Sequence, residues 1–164
     1  MKLPVITALA AILTGASAMA DVPKLTHADL SSVIGDDWTG QLIYLNYQAP
    51  FNDVTIRADL QAAAADNGLK LDYIYPDEPQ ANSTVIAEIG ADGLSFMGEP
   101  IVANETLEND VRLIKTAFAC EDMGRAAQCE MTYQFAPTEL QIKKMVTYDG
   151  EAEAFRRNEY VFTR

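Results

Sequence analysis

Alternation of apolar and polar residues runs through most of the chain. Ala127, Cys129, Met131, Tyr133 and Phe135 interleave with Gln128, Glu130, Thr132 and Gln134, and a period of two places every second side chain on one face of a strand. After the turn at Pro137 the pattern resumes, with Leu140, Ile142, Val146 and Tyr148 on one face and Gln141, Lys143 and Thr147 on the other. Val54, Ile56, Ala58, Leu60 and Ala62 alternate in the same way. The alanines at 62–65 are strong helix formers and Asn67-Gly68 suits a helix end, so residues 57–66 stand open between strand and helix; the β-branched start favours the strand. Further strands are expected over residues 38–47, 69–75, 84–89, 94–97, 111–120 and 155–162. Turn signals separate them: Asn67-Gly68, Pro76-Asp77-Glu78-Pro79, Asp92-Gly93, Gly98-Glu99-Pro100 and Asp149-Gly150.

A short helix is expected at the start, because Thr26 is a capping residue and residues 26–34 run as far as Gly35. No crossover helices follow, so the strands form an antiparallel meander. About nine strands, each with one apolar face, bury those faces most economically as a closed up-and-down β-barrel of about 8–9 strands or as a two-sheet sandwich. The expected fold class is all-β, an antiparallel up-and-down barrel with a short N-terminal helix.

The first twenty residues carry a different pattern. Lys2 is a positive start, residues 5–13 are almost continuously apolar, and Ala18-Met19-Ala20 is a small-x-small cleavage site. The apolar run is too short to span a bilayer comfortably, and residue 21 is Asp, with no thiol for lipid attachment. Residues 1–20 are therefore expected to be a signal peptide and residues 21–164 a single barrel domain, periplasmic or secreted, with no stable membrane insertion after cleavage. Export explains the cysteines. Cys120 and Cys129 are the only two, they flank the polar stretch of residues 121–125, and a hairpin there can set them opposite each other for a disulfide in an oxidising compartment. Two thiols without a nearby His make an incomplete zinc shell, and the spacing is not a redox C-x-x-C.

Charge narrows the partners. With 12 Lys+Arg against 24 Asp+Glu the formal charge is -12, and phosphate backbones are bound by neutralising them, so nucleic acid is excluded. Anionic membrane surfaces are disfavoured for the same reason. Mapped onto the alternating strands, most of the acidic residues fall on polar faces and turns.

At Gly35-Asp36-Asp37-Trp38-Thr39-Gly40 the chain resembles the lipocalin or calycin arrangement: a short helix, a lone Trp opening the first strand of a meander, and a last strand bearing Arg156-Arg157-Asn158-Glu159-Tyr160. Gly35-x-x-Trp38 stands where the family usually has Gly-x-Trp. Trp38-x-Gly40-x-Leu42-x-Tyr44 with Tyr75-Pro76-Asp77-Glu78-Pro79 is also similar to small lipocalin-like bacterial secreted proteins. The resemblance implies a barrel with a Trp near its closed end packed under an Arg from the last strand, here Trp38 with Arg157, and it implies no assigned activity.

Catalytic chemistry has little to work with. His27 is the only histidine and lacks the partners that a triad or a metal shell needs. Nucleophile-elbow, metalloprotease and phosphate-loop motifs are absent. The acidic pairs Asp36/Asp37, Asp77/Glu78 and Glu121/Asp122 read as solvated charge at turns rather than a glycosidase dyad. No EF-hand spacing supports calcium. Asn82-Ser83-Thr84 and Asn104-Glu105-Thr106 match a glycosylation sequon but read as loop residues beside a bacterial-looking signal. The expectation is no enzyme, no metal and no cofactor.

The strands carry many aromatics, and a barrel of about eight strands is wide enough either to be filled or to hold one small ligand. Tyr44, Tyr73, Tyr133 and Tyr148, together with Lys144, form the candidate ligand-binding set, because buried phenols need partners and can supply polar anchors in a cavity. Lys144 interrupts the apolar row of residues 140–148. It points inward, ready for an anionic headgroup, if the row runs without a break, and outward if a β-bulge intervenes; the rarity of buried, unpaired lysines favours the bulge. The expected function is binding of a small apolar or amphipathic ligand. The alternative is an envelope protein-interaction module or enzyme inhibitor, whose acidic surface suits a basic partner.

Overall fold

The computed structural model describes residues 22–48 and 51–164. Export signalling by residues 1–20 lies outside the described residues. The ten strands are β1 (Gly35–Leu45), β2 (Asp53–Ala65), β3 (Gly68–Ile74), β4 (Ser83–Glu88), β5 (Ser95–Phe96), β6 (Glu99–Thr106), β7 (Arg112–Asp122), β8 (Arg125–Phe135), β9 (Glu139–Tyr148) and β10 (Phe155–Thr163). All pairings are antiparallel, in the order β4-β3-β2-β1-β10-β9-β8-β7-β6-β5. β10 returns to β1, so the meander closes on itself apart from one seam between β4 and β5. A bridge between Ile89 and Phe96 spans that seam, with Met97 N–H donating to the Glu88 carbonyl at 2.8 Å. The result is an all-β, nearly closed up-and-down barrel, compatible with a calycin-type barrel.

Residues 57–65 are strand and Asp66 begins the turn: β2 pairs without a break from Asp59↔Ile74 to Ala65↔Gly68. Cross-strand pairing on both sides outweighs the helix preference of its alanines. The strand count is ten because β6 occupies a stretch whose Pro100 and Asn104 mark turns by composition. Pro100 pairs with Ser95 at the first turn of the β5–β6 hairpin, where a missing N–H is tolerated. Asn104, expected in a loop, is buried in β6, where its amide donates to the Pro23 carbonyl and accepts from Arg112. The expected helix is a 3-10 segment, His27–Val33, with Thr26 N–H and Oγ1 both donating to Asp29 Oδ2 at 2.8 Å.

That segment stoppers one end. Leu30 and Val33 pack into the main core with Trp38, whose indole N–H donates to the Val33 carbonyl at 2.8 Å. The arginine over Trp38 is Arg164, 4.2 Å from the ring centroid, and it also donates to the carbonyls of Ser32, Ile34 and Pro137. Arg157, the partner implied by resemblance, sits at the other end of the barrel over Tyr47, 3.6 Å from its centroid. Position along β10 separates the two: Arg164 follows the end of the strand beside the start of β1, whereas Arg157 lies near the end of β1.

Register sorts the inward side chains into rows. Phe135, Leu140, Phe162 and Gly40 stand in register next to the stoppered end, and a Cβ on Gly40 would lie 2.0 Å from the Val161 carbonyl oxygen. The next row holds Ile114, Tyr133, Ile142, Tyr160, Leu42 and Ile56. Then comes Thr116, Met131, Lys144, Asn158, Tyr44 and Val54, and beyond it Phe118, Cys129, Val146 and Phe155. Trp38, Phe96 and Phe162 are completely buried, each stabilising the fold by roughly 2–3 kcal/mol.

Cys120 and Cys129 form the expected disulfide, with Cα atoms 5.9 Å apart. They are diagonal rather than opposite: Cys120 pairs in register with Ala127, and Cys129 with Phe118.

Candidate functional site

The interior is filled at both ends and hollow between them. A cavity of about 220 Å³ lies at the two middle rows. Its aromatic wall is Tyr73, Tyr133 and Tyr160, its aliphatic wall Val85, Met131 and Ile142, and its polar groups are Ser83, Lys144 and Asn158, with Met97 beside the seam. Each is placed by strand parity. Tyr73 pairs with Leu60 and Ser83, which fixes it inward, and its ring lies 4.9 Å from that of Tyr160. Tyr160 shares a 2.7 Å hydrogen bond with the Tyr75 hydroxyl, and the Tyr133 hydroxyl donates to Met97 Sδ at 3.4 Å.

Lys144 faces inward. Pairing of β8 with β9 runs unbroken from Ala127↔Tyr148 to Phe135↔Leu140, so Lys144 shares the face of buried Ile142 and Val146. The bulge expected at Lys144 is one strand away, in β10 between Arg156 and Asn158. Composition shows the break in alternation but not which of two neighbouring strands absorbs it. Among the described residues no carboxylate lies within 4.0 Å of the Lys144 ammonium. In the same row Thr116 Oγ1 is buried without a hydrogen-bond partner.

Burial keeps the cavity phenols protonated. It pushes Tyr133 up to about 12, although the neighbouring Thr116 hydroxyl, which makes no well-formed hydrogen bond to it, opposes the rise. Burial likewise raises Tyr73, and it raises Tyr160 with help from the Tyr75 hydroxyl. These groups remain hydrogen-bond donors at neutral pH.

The opposite end of the barrel is bounded by the loops at 75–82, 123–124 and 149–154 and by the β1–β2 connection. A carboxylate latches it. Asp122 accepts hydrogen bonds from Tyr47 on one oxygen, from Tyr148 on the other at 2.8 Å, and from Arg157 Nε at 3.2 Å. Burial alone would raise its carboxyl, but the two phenol hydrogen bonds and the charges of Arg157 and Lys144 outweigh burial and hold it below the ordinary carboxylate range. Outside this latch an apolar recess of about 410 Å³ is lined by Leu45, Tyr47, Phe51, Met123, Arg125, Tyr148 and Phe155.

The candidate ligand set therefore divides. Tyr73, Tyr133 and Lys144 line the cavity. Tyr44 belongs to the Lys144 row through its pairing with Asn158 but is not a lining residue. Tyr148 is at the far end, bonded to Asp122 and stacked under Arg125 at 3.6 Å. Tyr160, Asn158 and Met131 join the site unannounced, although Met131 and Tyr160 share the parity of residues already chosen. The Glu121/Asp122 pair reads as solvated turn charge by composition, yet β7 runs on to residue 122 and carries it inward in phase with Cys120.

His27 is exposed, its Nε2 3.4 Å from Asn67 Oδ1. Among the described residues no group of three or more His, Cys, Asp and Glu side chains is placed to hold a metal ion, and no helix is long and apolar enough to cross a membrane. The chain matches no protein-family model and no curated protein sequence.

Proposed function

We propose that this chain is an exported, lipocalin-like binding protein that holds a small hydrophobic or amphipathic molecule in the cavity between its two plugged ends. The observation that carries the reading is the cavity itself, about 220 Å³ walled by three tyrosines and three aliphatic side chains within a barrel otherwise filled to the completely buried level of Phe96 and Phe162. Native interiors are close-packed, and an unfilled space with a few convergent polar groups is the usual form of a ligand site; this one lies below the roughly 300–1,000 Å³ of drug-sized pockets and so suits a small molecule. The disulfide fits an oxidising, periplasmic or extracellular setting.

Native mass spectrometry of protein purified from its own compartment tests the reading, together with titration of the neutral probes indole and 1-hexanol followed by ligand-observed NMR. A retained small molecule, or probe binding that Ile142→Trp abolishes by filling the cavity, supports it. Absence of both in the folded protein refutes it.

A second reading has its own observation. Phe51 and Met123 are 69% and 59% exposed beside the apolar recess, which favours an envelope partner docking at that end. Its mark is a stoichiometric protein complex lost in Phe51→Ser/Met123→Ser while small-molecule binding persists.

A further inference from the structure

We infer that the cavity is selective for a small organic monoanion, a short alkyl or single-ring aryl carboxylate, whose charged group is held at Lys144 and whose body lies against Tyr73, Tyr160 and Ile142. This rests on the binding reading above and names the chemistry of the same site.

Charge balance inside the barrel points to the sign. Arg112 is paired with Asp29, and Arg157 with Asp122. Asp122 is moreover occupied by two phenols. Lys144 is left as an inward cation with no carboxylate within 4.0 Å among the described residues. Lys144 lines the cavity, and a bound anion would supply it with a charge-assisted hydrogen-bond partner. The formal charge of the whole chain is -12, so an unpaired inward cation is not a by-product of a basic composition.

Hydrogen-bonding groups converge at the same level. Thr116, Lys144, Asn158 and Tyr44 share one row of the barrel, and Thr116 Oγ1 is completely buried with no partner. Of these, Lys144 and Asn158 line the cavity, and an ammonium and an amide can both donate to a carboxylate. A neutral ligand uses the donors but not the charge, and a cationic ligand meets Lys144 directly.

Volume sets the size. At water's share of about 30 Å³, and somewhat less for bonded atoms, a space of about 220 Å³ takes roughly seven to ten non-hydrogen atoms. Benzoate and hexanoate fit that range.

Access is from the side. Pairing of β6 with β7 stops at Thr116, so the rest of β7 is bonded on its β8 side only, and β4 is paired with β3 but meets β5 only through the bridge at Ile89. Ser83, Val85 and Met97 place the cavity against this gap, while the Asp122 latch and the packed row of Phe118, Cys129, Val146 and Phe155 fill the barrel toward the far end.

Calorimetric titration of the purified protein with benzoate, hexanoate, benzamide and benzylamine tests the selectivity. Both carboxylates are expected to bind at least ten-fold more tightly than benzamide, and benzylamine not at all. Lys144→Met, checked for fold by circular dichroism, should lose at least ten-fold in benzoate affinity with benzamide unchanged, and Lys144→Arg should keep the carboxylate preference. Equal affinity for benzoate and benzamide, or undiminished benzoate binding by Lys144→Met, overturns the assignment. If neither carboxylate binds while indole does, the anion selectivity falls and the binding reading stands. If indole and 1-hexanol also fail, both fall.

Discussion

Removing the carboxylate of Asp122 should unlatch the far end of the barrel. Asp122 and Arg157 are only 7% and 19% exposed at their side chains, and deleting one partner of a buried ion pair costs about 3–5 kcal/mol because the other charge is stranded. Arg157 retains one hydrogen bond, to the Leu45 carbonyl at 2.8 Å, and the Tyr47 and Tyr148 hydroxyls stand near enough to the barrel end to turn toward water. The low end of the range applies, so Asp122→Ala is expected to lose about 3 kcal/mol, lowering Tm by roughly 10 °C for a domain of this size. Asp122→Asn keeps a carbonyl acceptor and should lose about 2 kcal/mol.

pH adds a signature. The folded-state carboxyl of Asp122 is held below the ordinary carboxylate range, so its contribution is complete above that range and disappears as pH falls through the lowered value. The stability gap between wild type and Asp122→Asn should therefore be full at neutral pH and close in strong acid. Urea unfolding followed by circular dichroism across that pH span, with the disulfide intact, measures it. A variant within about 0.5 kcal/mol of wild type at neutral pH, the scatter of ordinary surface substitutions, would refute the latch. So would additivity between Asp122→Asn and Arg157→Met, since residues in one network couple by about 0.5–3 kcal/mol.

Replacing both cysteines by Ser opens the loop closed by a disulfide of sequence separation 9; the chain-entropy argument gives a loss of about 2.5 kcal/mol, and identical urea midpoints in oxidised and reduced protein would contradict it. Gly40→Ala drives a methyl to 2.0 Å from the Val161 carbonyl oxygen, so β1 and β10 must part there, with an expected loss above about 2 kcal/mol by thermal melting. Arg164→Ala removes the cation over Trp38 and three hydrogen bonds to carbonyls; about 1–2 kcal/mol should go, with the emission of this lone Trp shifting red, and an unmoved spectrum would tell against the contact.

Period-two patterning made most of the barrel legible. The strongly alternating runs at 127–135 and 140–148 became β8 and β9, and they carry Tyr133 and Lys144 to the cavity. What escaped was everything decided between strands. β6 was hidden because Pro100 and Asn104 are turn formers by local preference, and only pairing with β5 and β7 makes them strand residues. The direction of Lys144 depended on whether β9 or β10 carries a bulge, a question of register rather than of composition. Trp38 packs at the stoppered end, and its arginine is Arg164, because contact follows from where β10 ends. Composition marks Asp122 as solvent-facing charge because its partners come from elsewhere in the chain, Tyr148 from β9, Arg157 from β10 and Tyr47 from the segment after β1.

The extra residue in β10 has a meaning for sequence change as well as for geometry. Phe155 and Asn158 both face inward, opposite Val146 and Lys144, so the strand is one residue longer than regular alternation needs. Deleting Arg157 would restore that alternation with Phe155, Asn158, Tyr160 and Phe162 still inside, and the hydrophobic interior would hardly register the loss. The losses would fall at the far end, where Asp122 would lack its cation, Tyr47 the guanidinium over its ring and the Leu45 carbonyl its donor. A chain shortened by this one residue should thus fold as the same barrel with a loosened far end, which makes the position a natural place for lengths to differ without loss of architecture.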